Sequence, residues 1–447
     1  MTTADRRLAK SLAQVFLAGD WDRRGMHARG VLVLGRRRGW LGKLVDELLT
    51  AYPRQPADRP RELTDHIQLS PHFLPSVGTT SSGPRVHPPQ ALLVVPTRMI
   101  RRPHPVVRLD DQAALAGLLD LPLPMLDWFA DLRDMQRRAP AGALHHYRYH
   151  WVPTRGGGSR LLEAPRPRLR ALQRRVLEAT LAPIPVHTAA YGFVAGRSAV
   201  DGAAWHVGAS VVLTLDLRSF FASITAPRVA GVFRAAGYPE PVADLLAGLC
   251  THATPAMALT AMPGDGVAAA QQQRFQLQRF LSRRHLPQGA PTSPQIANLC
   301  AFVLDRRLQA YADALGATYT RYADDLTFSG DHELRHRASA LIKAVAGIVR
   351  EEGFTLNPSK TRVQGRGRRQ SVTGIVVNDR TNMARPDYDM LKAILHNCAE
   401  RGPETQNRTG HSDFRGYLLG RIGWVTELNP GHGHRLRADF DRIAWPD

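Results

Sequence analysis

Asp324 and Asp325 stand side by side in the tetrad Tyr322-Ala323-Asp324-Asp325. Apolar, aromatic and β-branched residues dominate the flanks, 317–321 and 326–329, which predicts two strands joined by a tight turn. Such a hairpin lifts two carboxylates to its tip. Adjacent anions repel, so the pair is costly unless a cation neutralises it, and hard oxygen ligands suit magnesium. Asp is also common in ordinary turns, so the pair gains meaning only from its company. Asp216 supplies that company. It directly follows Val211-Val-Leu-Thr-Leu215, an apolar run of buried-strand length. Ser219-Phe220-Phe221 comes next, then Thr225 at an N-cap position with Pro227 in the first helical turn. If this strand pairs beside the hairpin, three carboxylates converge. Three carboxylates can hold two magnesium ions, one lowering the pKa of an attacking hydroxyl and both clamping an in-line phosphoryl transfer.

Leu286-Pro-Gln-Gly-Ala-Pro-Thr-Ser-Pro294 adds a third signal. Its prolines and Gly289 predict a stiff irregular loop, which holds Gln288 at the entrance to a helix capped by Ser293 with Pro294 at its first position. Ile296, Leu299, Cys300, Val303, Leu304 and Leu308 give that helix an apolar face.

In this order and spacing, Asp216 with Phe220-Phe221, the Gln288 loop and Tyr322-Ala-Asp-Asp325 resemble the palm of a reverse transcriptase. Gly353-Phe-Thr-Leu-Asn-Pro-Ser-Lys-Thr361 resembles the family's segment after the catalytic hairpin, and Gln370-Ser-Val-Thr-Gly-Ile-Val-Val-Asn378 its primer grip. The retron branch fits best. Val372-Thr373-Gly374 matches the triplet associated there with recognition of the retron's own RNA, and Thr188-Ala-Ala-Tyr-Gly-Phe-Val-Ala-Gly-Arg-Ser198 is similar to a retron segment. The branch's Asn-Ala-x-x-His element is met at Ala203 and His206, with Gly202 in place of Asn. The resemblance covers roughly residues 107–447, and the basic N-terminal extension is similar to that of larger, myxobacterial enzymes.

The resemblance implies roles. Asp216, Asp324 and Asp325 are expected to be the catalytic metal ligands for two Mg²⁺ ions. Phe221 falls at the steric-gate position, where a ring would clash with a ribose 2′-OH; a Phe after a buried strand is also ordinary core. Gln288 and Arg160 are expected to meet the incoming nucleotide, Arg being suited to bidentate phosphate contact, and Lys360 to assist the leaving pyrophosphate. Val372, Thr373, Gly374 and His206 are expected to take part in RNA recognition.

The chain has 447 residues and a formal net charge of +20, with 59 Lys and Arg against 39 Asp and Glu. That balance points to a polyanionic partner. No apolar stretch is long enough to span a bilayer and none resembles a signal peptide. Cys250, Cys300 and Cys398 lie far apart in apolar contexts, as core thiols of a reducing cytosol do. Cys250-Thr-His252 is too sparse for a zinc site. Two helices and a basic turn, Gly35-Arg-Arg-Arg-Gly39, are expected in residues 1–72, and a linker from about 74 to 90. Two short helices are expected from Leu109 to Arg133, a strand from His145 to Trp151, and a basic helix from Leu161 to Leu181 suited to template contact. Residues 253–284 read as an irregular, Gln-rich insertion. Helices are expected after Pro386, the last two separated by Asn429-Pro-Gly-His-Gly433.

The expected fold is α+β, a right-hand polymerase. Fingers and palm, with an antiparallel sheet packed on helices, would span 107–380. A helical thumb would span 381–447 and a basic extension 1–106. The expected function is RNA-directed DNA polymerisation in the cytoplasm. A cognate structured non-coding RNA would be copied from its own 2′-hydroxyl into a short branched RNA–DNA, in anti-phage defence with an effector protein. With the chain ending at the thumb, template removal is expected to fall to a host RNase H. Two alternatives stand beside this: another bacterial reverse transcriptase, defence-associated or intron-related, or an RNA-binding scaffold that restrains an effector.

Overall fold

A computed structural model describes residues 3–75, 94–140, 142, 145–153, 159–263 and 268–445. The expected linker at 74–90 and the glycine turn at 156–158 lie almost wholly or wholly outside these residues. The chain forms two compact units, one of residues 1–185 and 224–296, the other of 186–223 and 297–447.

The first unit begins with four helices, Thr3–Leu17, Arg23–Leu34, Gly39–Ala51 and Pro60–Leu69, where two were expected. The breaks on either side of the second helix have local causes. Asp22 caps the second helix by accepting from the Gly25 N–H, and Gly35, at φ 69°, ends it in the left-handed region that glycine tolerates best. The four bury Leu12, Phe16, Met26, Leu41, Leu44, Leu63 and Ile67 in one core. This bundle is tied to the rest of its unit by backbone as well as side chain. The Glu240 N–H donates to the Asp58 carbonyl at 2.9 Å, and the Glu240 carboxylate accepts from the Arg61 N–H at 2.7 Å.

Strands β1 (Tyr147–Pro153) and β2 (Ser159–Pro165) form an antiparallel hairpin in the same unit. The basic helix therefore starts later than expected, at Pro167. Residues 161–165 alternate their burial as a strand does, and the helix Pro167–Val176 passes into a single π-helical turn, Leu177–Leu181. The two helices expected between 109 and 133 are Gln112–Leu119 and Leu123–Ala130. The segment 253–284 is not irregular: it holds the helices Ala256–Thr260 and Ala268–Leu281, the second built mostly from Ala, Gln, Leu and Arg, all good helix formers.

The second unit is organised by an antiparallel sheet of β3 (Val211–Asp216), β4 (Thr318–Tyr322), β5 (Asp325–Gly330) and β6 (Arg362–Gly365), in the order β4-β5-β3-β6. β3 is central, and its apolar residues are buried on both faces, which explains a sequence without alternation. Helices Phe302–Ala314 and Ala338–Glu351 bury Leu304, Leu308, Leu341 and Val345. The first of these is separate from Ser293–Cys300, so the single long helix expected there is two, and Val303 is exposed. A small hairpin pairs β7 (Ser371–Val372) with β8 (Ile375–Val376). Helices Arg385–Arg401, Phe414–Leu428 and Pro430–Phe440 then enclose their own core of Leu391, Leu395, Cys398, Leu418, Ile422, Val425, Leu436 and Phe440. Asn429 ends one helix and caps the next, its side chain accepting from the His432 N–H. All three cysteines are buried, and none of them forms a disulfide. Among the described residues no single helix is long and apolar enough to cross a membrane.

Candidate active site

The sheet register brings the three carboxylates together. Asp216, the last residue of β3, lies directly opposite Asp325, the first of β5. Facing residues on neighbouring antiparallel strands keep their Cβ atoms about 5 Å apart. Asp324 sits in the two-residue loop between β4 and β5, where its carbonyl accepts from the Leu217 N–H at 2.8 Å. Burial pushes the Asp325 carboxyl up to about 6, and the negative charges of Asp324 and Asp216 push it the same way, while Lys360 draws it down. Lys360 Nζ donates to Asp216 Oδ2 at 2.7 Å. Its segment is fixed by the Asn357 N–H, which donates to the Asp216 carbonyl at 2.8 Å.

The loop that carries Asp324 is strained and held from below. Ala323 has φ 55°, a region that a residue with a Cβ rarely occupies. Its carbonyl accepts from Arg321 Nη1 at 2.9 Å. Arg321 is wholly buried and grips Asp305 with two hydrogen bonds, Nε to Oδ1 at 2.7 Å and Nη2 to Oδ2 at 2.6 Å. It also donates to Asn298 Oδ1 at 3.0 Å. Tyr319 donates to Asp305 as well, at 2.9 Å. On the other side of the loop runs Gly192. A Cβ there would collide with the backbone nitrogen of Ala323, so the chain passes this close only as glycine. Asn298 Nδ2 donates to the Gly192 carbonyl at 2.9 Å. Sequence reasoning missed this support. Its signal was an Arg inside a short strand of Thr and Tyr that the hairpin requires to be largely buried, since charged residues are almost never fully buried without a partner.

Phe221 belongs to the same unit and is half-buried, its ring 5.6 Å from that of the buried Phe220. His206, expected to take part in RNA recognition, lies inside the second unit. It is fully buried, with Nδ1 hydrogen-bonded to Ser329 Oγ and Nε2 to Thr320 Oγ1, both at 2.7 Å. The ring thus braces β4 against β5, and both of its polar atoms are already used inside the unit. Burial lowers its pKa to about 4, so it is neutral near pH 7. Val372 is buried, whereas Thr373 and Gly374 form the loop of the β7–β8 hairpin, with φ of 49° and 86°. For the β-branched Thr373 that backbone is an outlier, and its hydroxyl donates to the Val372 carbonyl at 2.7 Å.

Gln288 and Arg160 belong to the first unit. The Gln288 carbonyl accepts from the Glu163 N–H at 2.8 Å. Ser293 does not cap its helix: its hydroxyl donates to the Pro287 carbonyl at 2.6 Å, which pins the loop instead. A buried polar cluster adjoins that loop and was not foreseen. Glu163 pairs with His285 at 2.7 Å and accepts from Thr254 at 2.6 Å, while His252 bonds Tyr149 at 2.8 Å. Burial alone would raise the Glu163 carboxyl, but His285, His252 and Thr254 bring it below the usual range. Burial likewise works against a charged His285, yet Glu163 raises its pKa overall. Arg160 is exposed on β2, opposite Val152.

Hard carboxylate oxygens whose mutual repulsion is only partly relieved by Lys360 fit a divalent cation. Among the described residues no group of three or more His, Cys, Asp or Glu side chains is arranged as a metal site on its own.

Residues 152–376 match the family described as "Reverse transcriptase (RNA-dependent DNA polymerase)". That family implies a divalent metal. The retron Mx65 reverse transcriptase of Myxococcus xanthus is 42% identical over 313 residues, which are 68% of this chain and 66% of the relative. The retron Mx162 reverse transcriptase of the same organism is 38% identical over 365 residues, 78% of this chain and 70% of the relative. The retron Ec86 reverse transcriptase of Escherichia coli is 32% identical over 256 residues, 56% of this chain and 69% of the relative. The chain therefore belongs to the retron reverse transcriptases, RNA-directed DNA polymerases that make msDNA.

Proposed function

We propose that Asp216, Asp324 and Asp325 hold two Mg²⁺ ions and that this site extends DNA on a cognate structured non-coding RNA, starting from a 2′-hydroxyl of the same RNA. The observation that carries the reading is the register of Asp216 against Asp325, with Asp324 in the adjoining loop. When bound, the ions would lower the pKa of the attacking hydroxyl and clamp the transferring phosphoryl group in line. Lys360, beside Asp216, would neutralise charge on the leaving pyrophosphate. The Phe221 ring would exclude a ribose 2′-OH. Gln288, on a loop fixed by Ser293 and by the Glu163 backbone, would contact the deoxynucleoside triphosphate, with Arg160 reaching its phosphates.

In this reading residues 107–380 are fingers and palm, 381–447 the thumb, and 1–106 an added basic extension. The thumb's separate core and the extension's separate bundle support that division. The left-handed Thr373-Gly374 loop, with Gly374 exposed, would present backbone groups to the retron RNA. A host RNase H would remove the template. The enzyme would act in the cytoplasm, in anti-phage defence, with an effector protein as partner.

The test is to sequence the nucleic acid that co-purifies with the protein, with and without RNase and debranching treatment, beside an Asp324→Ala, Asp325→Ala variant. One abundant short DNA joined 2′ to one RNA, absent from the variant, is expected. Heterogeneous RNA without attached DNA would remove the retron-RNA reading.

A further inference from the structure

Phe193 is half-exposed, at 50%, in a backbone conformation with φ 62°. A single exposed aromatic needs no explanation. An aromatic held in the left-handed region does, because that conformation costs about 1–3 kcal/mol and persists only where the surroundings impose it. Here the surroundings are visible. The Arg321 N–H donates to the Ala189 carbonyl at 2.7 Å, and the Tyr191 N–H to the Arg321 carbonyl at 2.8 Å, so residues 189–191 run beside β4. Gly192 then passes against the Ala323 nitrogen, closer than any other residue could. Arg197 fastens the loop from within, donating to the carbonyls of His187, Thr188 and Ala190 at 3.2, 3.0 and 2.6 Å.

The result is a rigid loop that delivers one ring to two residues of the site. The Phe193 centroid lies 6.1 Å from that of Phe221 and 6.3 Å from that of Tyr322. Phe221 also has Phe220 beside it, 5.6 Å away, and Phe220 is itself buried, 5.6 Å from Phe354 with the Arg321 guanidinium 5.8 Å over its ring. Phe193 is therefore the only one of these neighbours of the Phe221 ring that is substantially open to solvent. A ring excludes a 2′-hydroxyl only as well as it resists turning aside.

We propose that Phe193 is a positioning residue that fixes the Phe221 ring and so sets the discrimination against ribonucleotides. The proposal rests on the reading of Phe221 as the sugar gate. It predicts that sugar discrimination depends on a ring at 193, independently of what that residue does for folding.

The experiment measures kcat/KM for dTTP and UTP with the full-length protein, Mg²⁺ and oligo(dT)-primed poly(rA). Four variants are compared: Phe221→Val, Phe193→Leu, Phe193→Tyr and Phe193→Gly. Phe221→Val should collapse the dTTP/UTP ratio. Phe193→Leu should lower it about three- to tenfold, the reach of one aromatic pair, through a rise for UTP while kcat for dTTP holds. Phe193→Tyr keeps a ring and should keep the ratio. Phe193→Gly removes the ring but relieves the backbone, so it should unfold no more easily than the parent and still lose discrimination. If Phe221→Val relaxes the ratio and neither Phe193→Leu nor Phe193→Gly does, the proposal is overturned and the gate reading stands. If Phe221→Val leaves the ratio unchanged, the gate reading itself fails, and this proposal with it.

Discussion

Arg321 donates a hydrogen bond to the carbonyl oxygen of Ala323 at 2.9 Å, from a guanidinium with no exposure to solvent. A buried charge is thus spent on the backbone of the loop that carries Asp324. The Asp305 carboxylate, equally buried, balances that charge in a two-pronged pair. Removing one partner of such a pair leaves an uncompensated charge and costs about 3–5 kcal/mol, whereas replacing both with apolar groups costs far less. Arg321→Met should therefore lower stability by about that amount in denaturant unfolding. Arg321→Met combined with Asp305→Leu and Tyr319→Phe should recover most of it, the last change removing a hydroxyl that would otherwise lose its acceptor. The triple variant should still polymerise poorly, because the Ala323 carbonyl has lost its donor. Full activity in that variant would show that Arg321 serves packing alone.

Gly192 and Ala323 make a paired prediction, because each faces the other across the same close approach. Gly192→Ala forces the two backbones apart. Displacing a reacting group by about 1 Å can cost roughly a hundredfold in rate, so nucleotide incorporation should fall steeply while the fold persists. Ala323→Gly relieves the positive φ without adding an atom. Stability should rise by about 0.5–1 kcal/mol, less the extra freedom of glycine in the unfolded chain. Equal activity of Gly192→Ala and the parent would remove the loop at 189–193 from any role in aligning Asp324.

How much of this was legible beforehand differs residue by residue. The nearness of Asp216 to the Asp-Asp hairpin hung on one conditional pairing of strands, and β3 does pair with β5, with Asp216 opposite Asp325, a register the sequence alone does not specify. The helices at 256–281 were not legible. Their Gln and Arg residues form no clear apolar stripe, and helix propensity alone is a weak guide. Ser293 looked like a cap by type and position, yet a carbonyl six residues back takes its proton, a tertiary contact no local pattern contains. His206 was read only as part of an RNA-recognition element; that Ser329 and Thr320, more than a hundred residues on, supply hydroxyls to both its nitrogens is nowhere in the local pattern. The Arg321 network fails to show in sequence for the same reason, since Asp305 and Asn298 reach it only through the packing of their helices.

His206 gives the enzyme a defined acid sensitivity. Its pKa falls from 6.5 to about 4 on folding, chiefly through burial. Below about pH 6.5 the unfolded chain takes up a proton that the folded one refuses, so stability present at neutral pH is lost as pH falls toward 4. Between pH 6.5 and 5 the loss should approach about 2 kcal/mol. His206→Gln keeps an amide that can bond both hydroxyls and does not titrate. The parent should be the more stable at pH 7, and its advantage should shrink or reverse near pH 5, as read from unfolding midpoints. Other buried histidines, His252 among them, are common to both proteins and cancel. Parallel pH profiles would mean that His206 is not the group responsible.

Lys360 and the proposed magnesium ions compete for the same anions. Nζ lies 2.7 Å from Asp216 Oδ2, and its charge is the one influence that draws the Asp325 carboxyl down against burial and two neighbouring carboxylates. In the metal-free protein the lysine is a partial substitute for a cation, half exposed and therefore screened. Lys360→Met should lower the melting temperature most in EDTA, where nothing else offsets the repulsion of Asp216, Asp324 and Asp325. Added Mg²⁺ binds only the folded site and stabilises it by mass action, so it should raise the melting temperature more in Lys360→Met than in the parent. Asp325→Asn in the same background should abolish most of that increment by removing one ligand and one charge together. If Mg²⁺ raises both melting temperatures equally, Lys360 does not share the cation's place, and its contact with Asp216 is an ordinary, solvent-screened ion pair.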